Sequence, residues 1–411
     1  MLSVCTVFAK DWLHLGNLTT TKASEMNGNK EYSLQTAFLR FVLVIIGARG
    51  CMGYTPDDAE WEYLYAQCKL HSLLGVGFAG VERCHGKGER CPLALRQRWM
   101  AKALRIKACN HRLNMLCAEL DGLLTAGGLR CCVLKGQSHM AYYPQRLAAY
   151  RQAGDIDLYV ALEQKGDGNG KCLVHDMDTI LHRLKDIGMD VTKVLYHHAV
   201  ASPYKGVELE LHYRPLFFHS PVRNRRMQAW FKRHAAECLD NRTEGGFAAL
   251  TANVNVVYIM SHLYLHHLGS GVGLRQLMDF YYVLAGWHEA DGKDATTVTD
   301  TIGWLGMTAF SRALMWVLCH VFDMQESWCL SCPDAGRGQR LLEDMLAGGN
   351  FGQGDMRLWG MRHGGWLRHG LWKLYRVAGL VGDYPEEALS EPPFRVFHLL
   401  WRTGRGLKKG R

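Results

Sequence analysis

Two carboxylates alternate with apolar residues in a short stretch near the middle of the chain. Residues 154–160 read GDIDLYV, so that one apolar residue separates Asp155 from Asp157. Alternate residues of a β-strand point to the same face, which would put the two carboxylates side by side. Adjacent carboxylates repel each other unless a cation lies between them, and Mg²⁺ favours such oxygen ligands. The pattern indicates either a divalent-cation site or the solvated face of an edge strand.

The residues upstream predict a turn that could bind phosphate. After the turn at residues 127–128, the apolar run 129–134 is typical of a strand, and it ends at Lys135 and Gly136. We expect a helix over residues 137–143, closed by Pro144. A helix N-terminus offers free N–H groups and a positive dipole end, and a glycine leaves room for phosphate beside the backbone. An ordinary tight turn at Gly136 is the alternative.

A third acidic group follows in a predicted β-hairpin. Residues 191–200 and 207–213 alternate like strands, and the turn residues 203–206 lie between them. The second strand reads VELELHY, so that Glu208, Glu210 and His212 share one face. His197 and His198 fall on the paired strand, either in the core or facing the substrate.

Together these motifs resemble the uncharacterised nucleotidyltransferases of the DNA-polymerase-beta-like superfamily. The similarity is carried by L-K-G at residues 134–136, Y-P at 143–144, R-x-x-G-D-I-D-L-x-V at 151–160 and V-E-L-E-L-H-Y-R at 207–214. It extends over roughly residues 36–285. The resemblance implies a Mg²⁺-dependent enzyme that transfers a nucleoside monophosphate from an NTP to an acceptor. The wider superfamily has Gly-Ser or Gly-Gly at this turn, with the aspartates closer to it, whereas here Asp155 follows Gly136 by 19 positions.

The resemblance also assigns roles to individual residues. It implies two Mg²⁺ ions, held by Asp155, Asp157 and Glu210 as catalytic and metal-binding residues. Glu210 is preferred to Glu208 because the family's acid directly precedes Leu-His-aromatic. The expected nucleotide-binding residues are Lys135, Gly136, Gln137 and Arg151. Arg151 could clamp phosphate or pair with the aspartates, and Lys135 could instead be a surface lysine. The acceptor stays open among a sugar or other small molecule, a protein side chain and RNA.

Composition sets the class of protein. The chain has 411 residues, of which 48% are hydrophobic and 21% charged, so it can bury a large core in two or three subdomains. Its net charge of +9 suits a phosphate-bearing substrate as well as nucleic acid. Fourteen scattered cysteines without a secretory signal favour the reducing cytoplasm. The most apolar run, residues 38–48, is about half the length of a membrane span and predicts a core helix. Nothing in the sequence assigns an oligomeric state.

We predict an α+β fold with a small mixed β-sheet flanked by helical regions. Residues 1–31 are expected to be an irregular leader, 32–126 an N-terminal helical region, 127–215 the nucleotidyltransferase core and 216–411 a C-terminal helical region with a basic tail. Thr55 and Pro56 predict a helix start, and residues 166–170 a loop.

The other motifs have ordinary structural explanations. Cys84, His85 and Cys91 lack a fourth zinc ligand at the usual spacing, and His262 and His266 are expected to be packing histidines. Asp279 is expected to brace a domain interface. Two other functions remain open: an inactive nucleotide-binding regulatory or assembly subunit, and a nucleic-acid-binding protein that uses the basic residues 402–411.

Overall fold

A mixed β-sheet lies between two sets of helices in the computed structural model of this chain, which describes residues 25–165, 171–352, 354 and 365–405. The predicted α+β class is confirmed. The predicted loop at residues 166–170 and the end of the basic tail, residues 406–411, lie outside the described residues. The division of the chain into four regions stays a prediction.

In the described residues, four helices precede the sheet: α1 (Glu25–Ile46), α2 (Asp58–Leu70), α3 (Leu74–His85) and α4 (Leu93–Ala126). Residues 25–31 belong to α1, so the expectation that they are irregular was wrong. The apolar run that begins at Phe38 is a core helix, as predicted. The start of α2 differs from our expectation, because its N-cap is Asp57 and not Thr55. The Asp57 carboxylate accepts from the Glu60 amide, and the Glu60 carboxylate accepts from the Asp57 amide, so both ends of this capping box are closed locally.

The sheet contains the strands β1 (Leu129–Val133), β2 (Asp155–Lys165), β3 (Lys171–Val174), β4 (Val191–Val194), β5 (His198–Tyr204) and β6 (Val207–His212), with α5 (Gln145–Ala148) and α6 (Met177–Asp186) between them. Its order is β1-β2-β6-β5-β4, and β3 pairs with the end of β2. Only the β2–β6 pair is parallel among these described strands. The strand expected over residues 191–200 is divided into β4 and β5. The hairpin turn narrows to Lys205 and Gly206, whose φ angles of 48° and 77° suit a tight two-residue connection.

The parallel pair fixes which residues face each other. Asp155 lies opposite Glu208, Asp157 opposite Glu210, and Tyr159 opposite His212. Ile156 and Leu158 point to the other face, where they pack in a core with α4 and α6. The acidic residues are therefore on the face that Tyr159 and Ala161 share with the larger core.

The α-helices described after the sheet are α7 (Pro221–Asp240), α8 (Ala252–Gly269), α9 (Leu274–Glu289), α10 (Ala295–Trp304), α11 (Thr308–Phe322), α12 (Ala335–Gly348), α13 (Trp366–Leu380) and α14 (Pro385–Gly404). One hydrophobic core joins residues from α1 and α2, from the acidic face of the sheet and from α8, α9 and α11. The two helical regions therefore share a core above the carboxylates. Among the described residues, no helix combines the length and apolar composition that a membrane crossing requires.

The last helix is held to the start of α7 by a buried carboxyl group. Glu387 is 0% exposed and accepts hydrogen bonds from the backbone N–H groups of His219 and Ser220. Burial raises the pKa of Glu387 to about 7, although these hydrogen bonds oppose the increase. The folded protein therefore holds this proton at pH values where the unfolded chain has released it.

We expect the folded protein to lose stability as the pH rises through the pKa of Glu387. The pKa of Glu387 is higher in the folded than in the unfolded protein, so the unfolding free energy decreases as the pH rises from about 4.5 to about 7. This decrease amounts to about 3 kcal/mol at most. Glu387→Gln should lose this pH dependence. Urea denaturation at pH 5 and pH 8 measures it, with the neighbouring exposed carboxylate variant Glu386→Gln as control. An equal pH dependence in wild type and Glu387→Gln would contradict the assignment.

Candidate active site

A buried aspartate joins a lysine and a histidine at the centre of the acidic face. Asp157 is 2% exposed, its Oδ2 lies 2.6 Å from Lys135 Nζ and its Oδ1 lies 3.3 Å from His212 Nε2. Lys135 Nζ also lies 3.1 Å from Oδ2 of Asp155. The ammonium group therefore bridges the two aspartates, in the place where we expected a cation to be required.

Glu210 joins this group through the histidine. Its Oε2 lies 3.4 Å from His212 Nε2 and 3.6 Å from His198 Nε2. The ligand atoms of Asp157, Glu210 and His212 all lie within 4.8 Å of one another. Glu208, the alternative third acid, is exposed beside Asp155. The structure thus brings Asp155, Asp157 and Glu210 together as two overlapping pairs, one around Lys135 and one around His212.

The alternating charges stabilise each other's ionised forms. Burial alone would raise the pKa of Asp157, but Lys135 and His212 outweigh it and hold that pKa below its usual value. For Glu210, burial is likewise outweighed by the nearby histidines, which lower its pKa to about 2. Burial opposes protonation of His212, yet its hydrogen bonds to the two carboxylates raise its pKa. The lowered pKa values keep the carboxylates of Asp157 and Glu210 ionised at neutral pH.

Two further histidines extend the group along β5. His198 lies opposite His212 in the strand register, and its Nδ1 is 2.8 Å from His197 Nε2. Burial lowers the pKa of His198 to about 4, and it also lowers that of His197, so both imidazoles are neutral at pH 7. The sequence placed His212 on the acidic face but gave it no role. The same alternation that predicted Glu210 was the available signal.

The turn after β1 leads into a short helix, as predicted. Residues Gly136–Tyr142 form a 3₁₀ helix, within one residue of the expected 137–143, and it ends before Pro144. Gly136 has a φ of +72°, which L-residues with a side chain rarely adopt. A Cβ added there would meet only the Asp155 carbonyl oxygen, at 3.9 Å. Glycine is thus required here by the backbone conformation, and the phosphate contact stays a prediction.

Gln137 fastens this turn to the long helix α4. The side chain is buried, and its Nε2 donates to the carbonyl oxygen of Asn110 at 3.2 Å and to Oδ1 of Asn114 at 2.8 Å. These contacts fix the position of the turn relative to α4. The expected contact between Gln137 and a nucleotide also stays a prediction.

Arg151 is paired with an aspartate outside the acidic face. Its Nε and one terminal nitrogen donate to the two carboxylate oxygens of Asp279 on α9, at 2.6 and 2.7 Å. The hydroxyl of Tyr143 donates to the same carboxylate at 2.7 Å. The expected alternative that Arg151 pairs with Asp155 and Asp157 was therefore wrong. Asp279 braces α9 against the loop before β2, which agrees with its predicted role.

A cleft opens beside Lys135 and Asp155. It has a volume of about 210 Å³ and contains the Gly136 turn and the loop 151–155 on one side. Residues from distant parts of the chain line the other side, namely Ser72, Arg275, Asn350 and Phe351. The adjoining pocket is lined by His139 and by His262, whose Nε2 lies 3.0 Å from Nε2 of His266. The core sheet and both helical regions thus contribute to one cleft.

A known protein family matches more than half of the chain. The model of a family described as uncharacterised nucleotidyltransferase matches residues 57–323, well over half of the chain. The chain belongs to this family. The matched range begins and ends later than residues 36–285, over which the sequence resemblance extends. The match therefore includes the whole of α9, α10 and α11. No curated protein and no solved structure showed significant similarity to the chain.

The remaining sequence motifs contribute no metal site in the part of the chain that the structure describes. Potential metal-binding groups of three residues are found only on β2, β5 and β6 and in the residue before β5. Cys84, His85 and Cys91 are absent from them. Cys329 lies 3.6 Å from Cys319, sulfur to sulfur, as a neighbouring free thiol.

Loss of the Arg151–Asp279 pair should destabilise this nucleotidyltransferase. Arg151→Gln would leave the buried Asp279 carboxylate without its main counter-charge, at a cost of about 3–5 kcal/mol. Chemical denaturation measures the change, with the exposed Arg233→Gln as a control for charge loss. An Arg151→Gln protein of wild-type stability that binds NTP weakly would instead support the phosphate role predicted from sequence.

Replacement of Gly136 should cost stability through backbone conformation. We expect Gly136→Ala to lower the unfolding free energy by about 1–2 kcal/mol because its φ is positive. Gly154→Ala is the matched control, since Gly154 is also in this loop region, has no positive φ and has no atom near an added Cβ. Equal stabilities of the two variants would show that the turn adapts to a side chain.

Proposed function

We propose that the chain transfers a nucleoside monophosphate from an NTP to an acceptor hydroxyl and releases pyrophosphate, with a divalent cation as cofactor. The observation that carries the proposal is the meeting of Asp157 and Glu210 across the parallel pair β2–β6, with Asp155 joined to them through Lys135. Membership of the nucleotidyltransferase family supports the reaction class.

The donor set fits a divalent cation. Asp155, Asp157 and Glu210 offer the carboxylate oxygens that Mg²⁺ prefers, and we propose that they hold two such ions. His212 Nε2 lies among them, and an imidazole ligand is also acceptable to Mn²⁺. A bound cation would neutralise charge on the phosphates and on the attacking oxygen. Since the pKa of Glu210 is only about 2, we assign it as a ligand in preference to a base.

The other residues position the substrate. In our proposal, Lys135 exchanges its contacts with the aspartates for contacts with the NTP phosphates. The turn that begins at Gly136 supplies backbone N–H groups to the same phosphates. Gln137 holds this turn, and Arg151 holds the loop before β2, which lines the same side of the cleft. The candidate acceptors are a sugar or other small molecule, a protein side chain and RNA. The cysteine usage supports a cytoplasmic location.

The decisive experiment identifies what the protein labels. Purified protein is incubated with each α-³²P-labelled NTP, with Mg²⁺ or Mn²⁺, and with host extract that supplies the acceptor. We expect one labelled product and release of pyrophosphate. Binding of NTP without any labelled product or pyrophosphate would instead support an inactive nucleotide-binding subunit.

The two aspartates should separate catalysis from stability. Asp155→Asn and Asp157→Asn should each reduce transfer at least a thousandfold, because each removes a cation ligand's charge. The metal-free proteins should differ in stability. Asp157 is buried and bonded to Lys135 and His212, so its replacement should cost about 1–3 kcal/mol, whereas Asp155 is partly exposed and should cost less.

This expectation reverses the simplest one from sequence. Two adjacent carboxylates alone would predict that Asp157→Asn relieves repulsion and stabilises the metal-free protein. Lys135 already supplies the cation, so no repulsion remains to be relieved. Melting temperatures in EDTA test this, and a more stable Asp157→Asn protein would show that the Lys135 bridge is weak.

A further inference from the structure

Arg275 lies in the cleft in surroundings that do not suit a cation. It is the second residue of α9, within the first turn, where the helix dipole is positive and disfavours positive charge. Its side chain is only 15% exposed and lines the cleft together with Lys135 and Arg151. Burial lowers the pKa of Arg275, and the guanidinium of Arg151 adds to the effect.

The neighbouring Asp279 carboxylate does not fully satisfy this guanidinium. Asp279 Oδ2 is 3.5 Å from a terminal nitrogen of Arg275, but both oxygens of that carboxylate accept shorter hydrogen bonds from Arg151. Within the described part of the chain, no hydrogen bond joins the Arg275 guanidinium to another residue. Five donor hydrogens on a planar fork are thus available to whatever enters the cleft.

The lining around Arg275 is also conformationally strained. Ser72 and Phe351 have φ angles of 57° and 54°, in the left-handed region that residues with side chains rarely adopt. Both residues line the same cleft, and Oδ1 of Asn350 between them is buried without a hydrogen-bond partner. Backbone strain, an unsatisfied amide oxygen and a guanidinium without a hydrogen bond, concentrated in one cavity, are typical of a ligand site.

We propose that Arg275 binds the polyphosphate of the nucleotide in this cleft, opposite the Lys135–Gly136 turn. The inference rests on the proposed function and assigns to Arg275 the phosphate contact that the sequence gave to Arg151. A guanidinium matches the paired oxygens of a phosphate, and the cleft begins at Asp155, where the cation is expected. Arg151 then has a positioning role, because it occupies Asp279 and thereby leaves Arg275 available.

Inorganic tripolyphosphate is the direct probe, since it carries the phosphates without a base. Isothermal titration calorimetry at low salt, with and without Mg²⁺, should show binding to the wild type. Arg275→Gln should weaken it about ten- to hundredfold. The affinity of Arg275→Lys for tripolyphosphate should lie between those of the wild type and Arg275→Gln, because lysine keeps the charge but lacks the planar guanidinium. Arg233→Gln, which removes an exposed arginine from α7, should bind as the wild type does. Orthophosphate should bind more weakly than tripolyphosphate.

The stability of the same variants separates a ligand contact from a structural one. Arg275→Gln should melt at the same temperature as the ligand-free wild type or higher, because it removes an unfavourable cation. The inference is overturned if Arg275→Gln binds tripolyphosphate normally, or if it melts lower while Arg275→Lys binds with wild-type affinity. It is also overturned if the wild type does not bind this probe.

These results are independent of catalysis. Nucleotidyl transfer that survives with unchanged NTP affinity in Arg275→Gln would reject the role of Arg275 and leave the proposed function standing. If tripolyphosphate binding depends on Arg275 but the protein labels no acceptor, the role of Arg275 stands and the proposed function is rejected.

Discussion

The structure around the acidic face depends on compensation of the charge on Asp157. A carboxylate that is almost completely excluded from solvent is costly unless it is paired, and here Lys135 and His212 approach it from its two oxygens. Acidic and basic side chains then alternate from Asp155 through Lys135, Asp157 and His212 to Glu210. Such a chain holds three carboxylates together in the folded protein. It also leaves them arranged around the positions of a lysine and a histidine.

This arrangement depends in turn on the only parallel pair among the described strands. β2 and β6 are adjacent although the chain between them forms β3, α6, β4 and β5. The register puts Glu210 beside Asp157 and His212 beside Tyr159, and a shift by one residue would turn Glu210 into the core that contains Leu209 and Leu211. Burial of Ile156 and Leu158 on the opposite face makes such a shift costly. The hydrophobic pattern therefore fixes the geometry of the polar residues.

Local periodicity explains what the sequence predicted well. Alternation by two assigned Asp155, Asp157 and Glu210 to strands and to one face, and the helical stripes gave the helices on both sides of the sheet. The pattern was less informative where elements are short. The spacing predicted a helix over residues 137–143 but not its type, and the 3₁₀ helix Gly136–Tyr142 is anchored by the contacts of Gln137 with α4. Those contacts come from residues more than twenty positions away and have no local signal.

Long-range pairing explains the main difference at the site. From its position four residues before Asp155, Arg151 was expected to reach either phosphate or the aspartates. Its actual partner, Asp279, is 128 positions away on α9, and the pair is buried. No spacing rule connects two such residues, because their contact exists only after the C-terminal helices have packed on the sheet. The same packing brings Arg275 beside Lys135, four residues before Asp279 on the same helix.

A division of labour follows from that packing. On α9, Asp279 and Arg275 are one helical turn apart, and their charges would normally satisfy each other. Arg151 instead binds both oxygens of the Asp279 carboxylate and forms a buried ion pair with it. Two guanidinium groups then lie beside one carboxylate, so Arg275 is a cation in excess. The excess lies at the cleft and next to the carboxylates that are expected to hold cations. Excess positive charge on one side and negative charge on the other is the complement of a metal-bound polyphosphate, whose anionic oxygens and cations would face them. The C-terminal helices therefore do more than cover the sheet, since α9 contributes the cation Arg275 to the cleft.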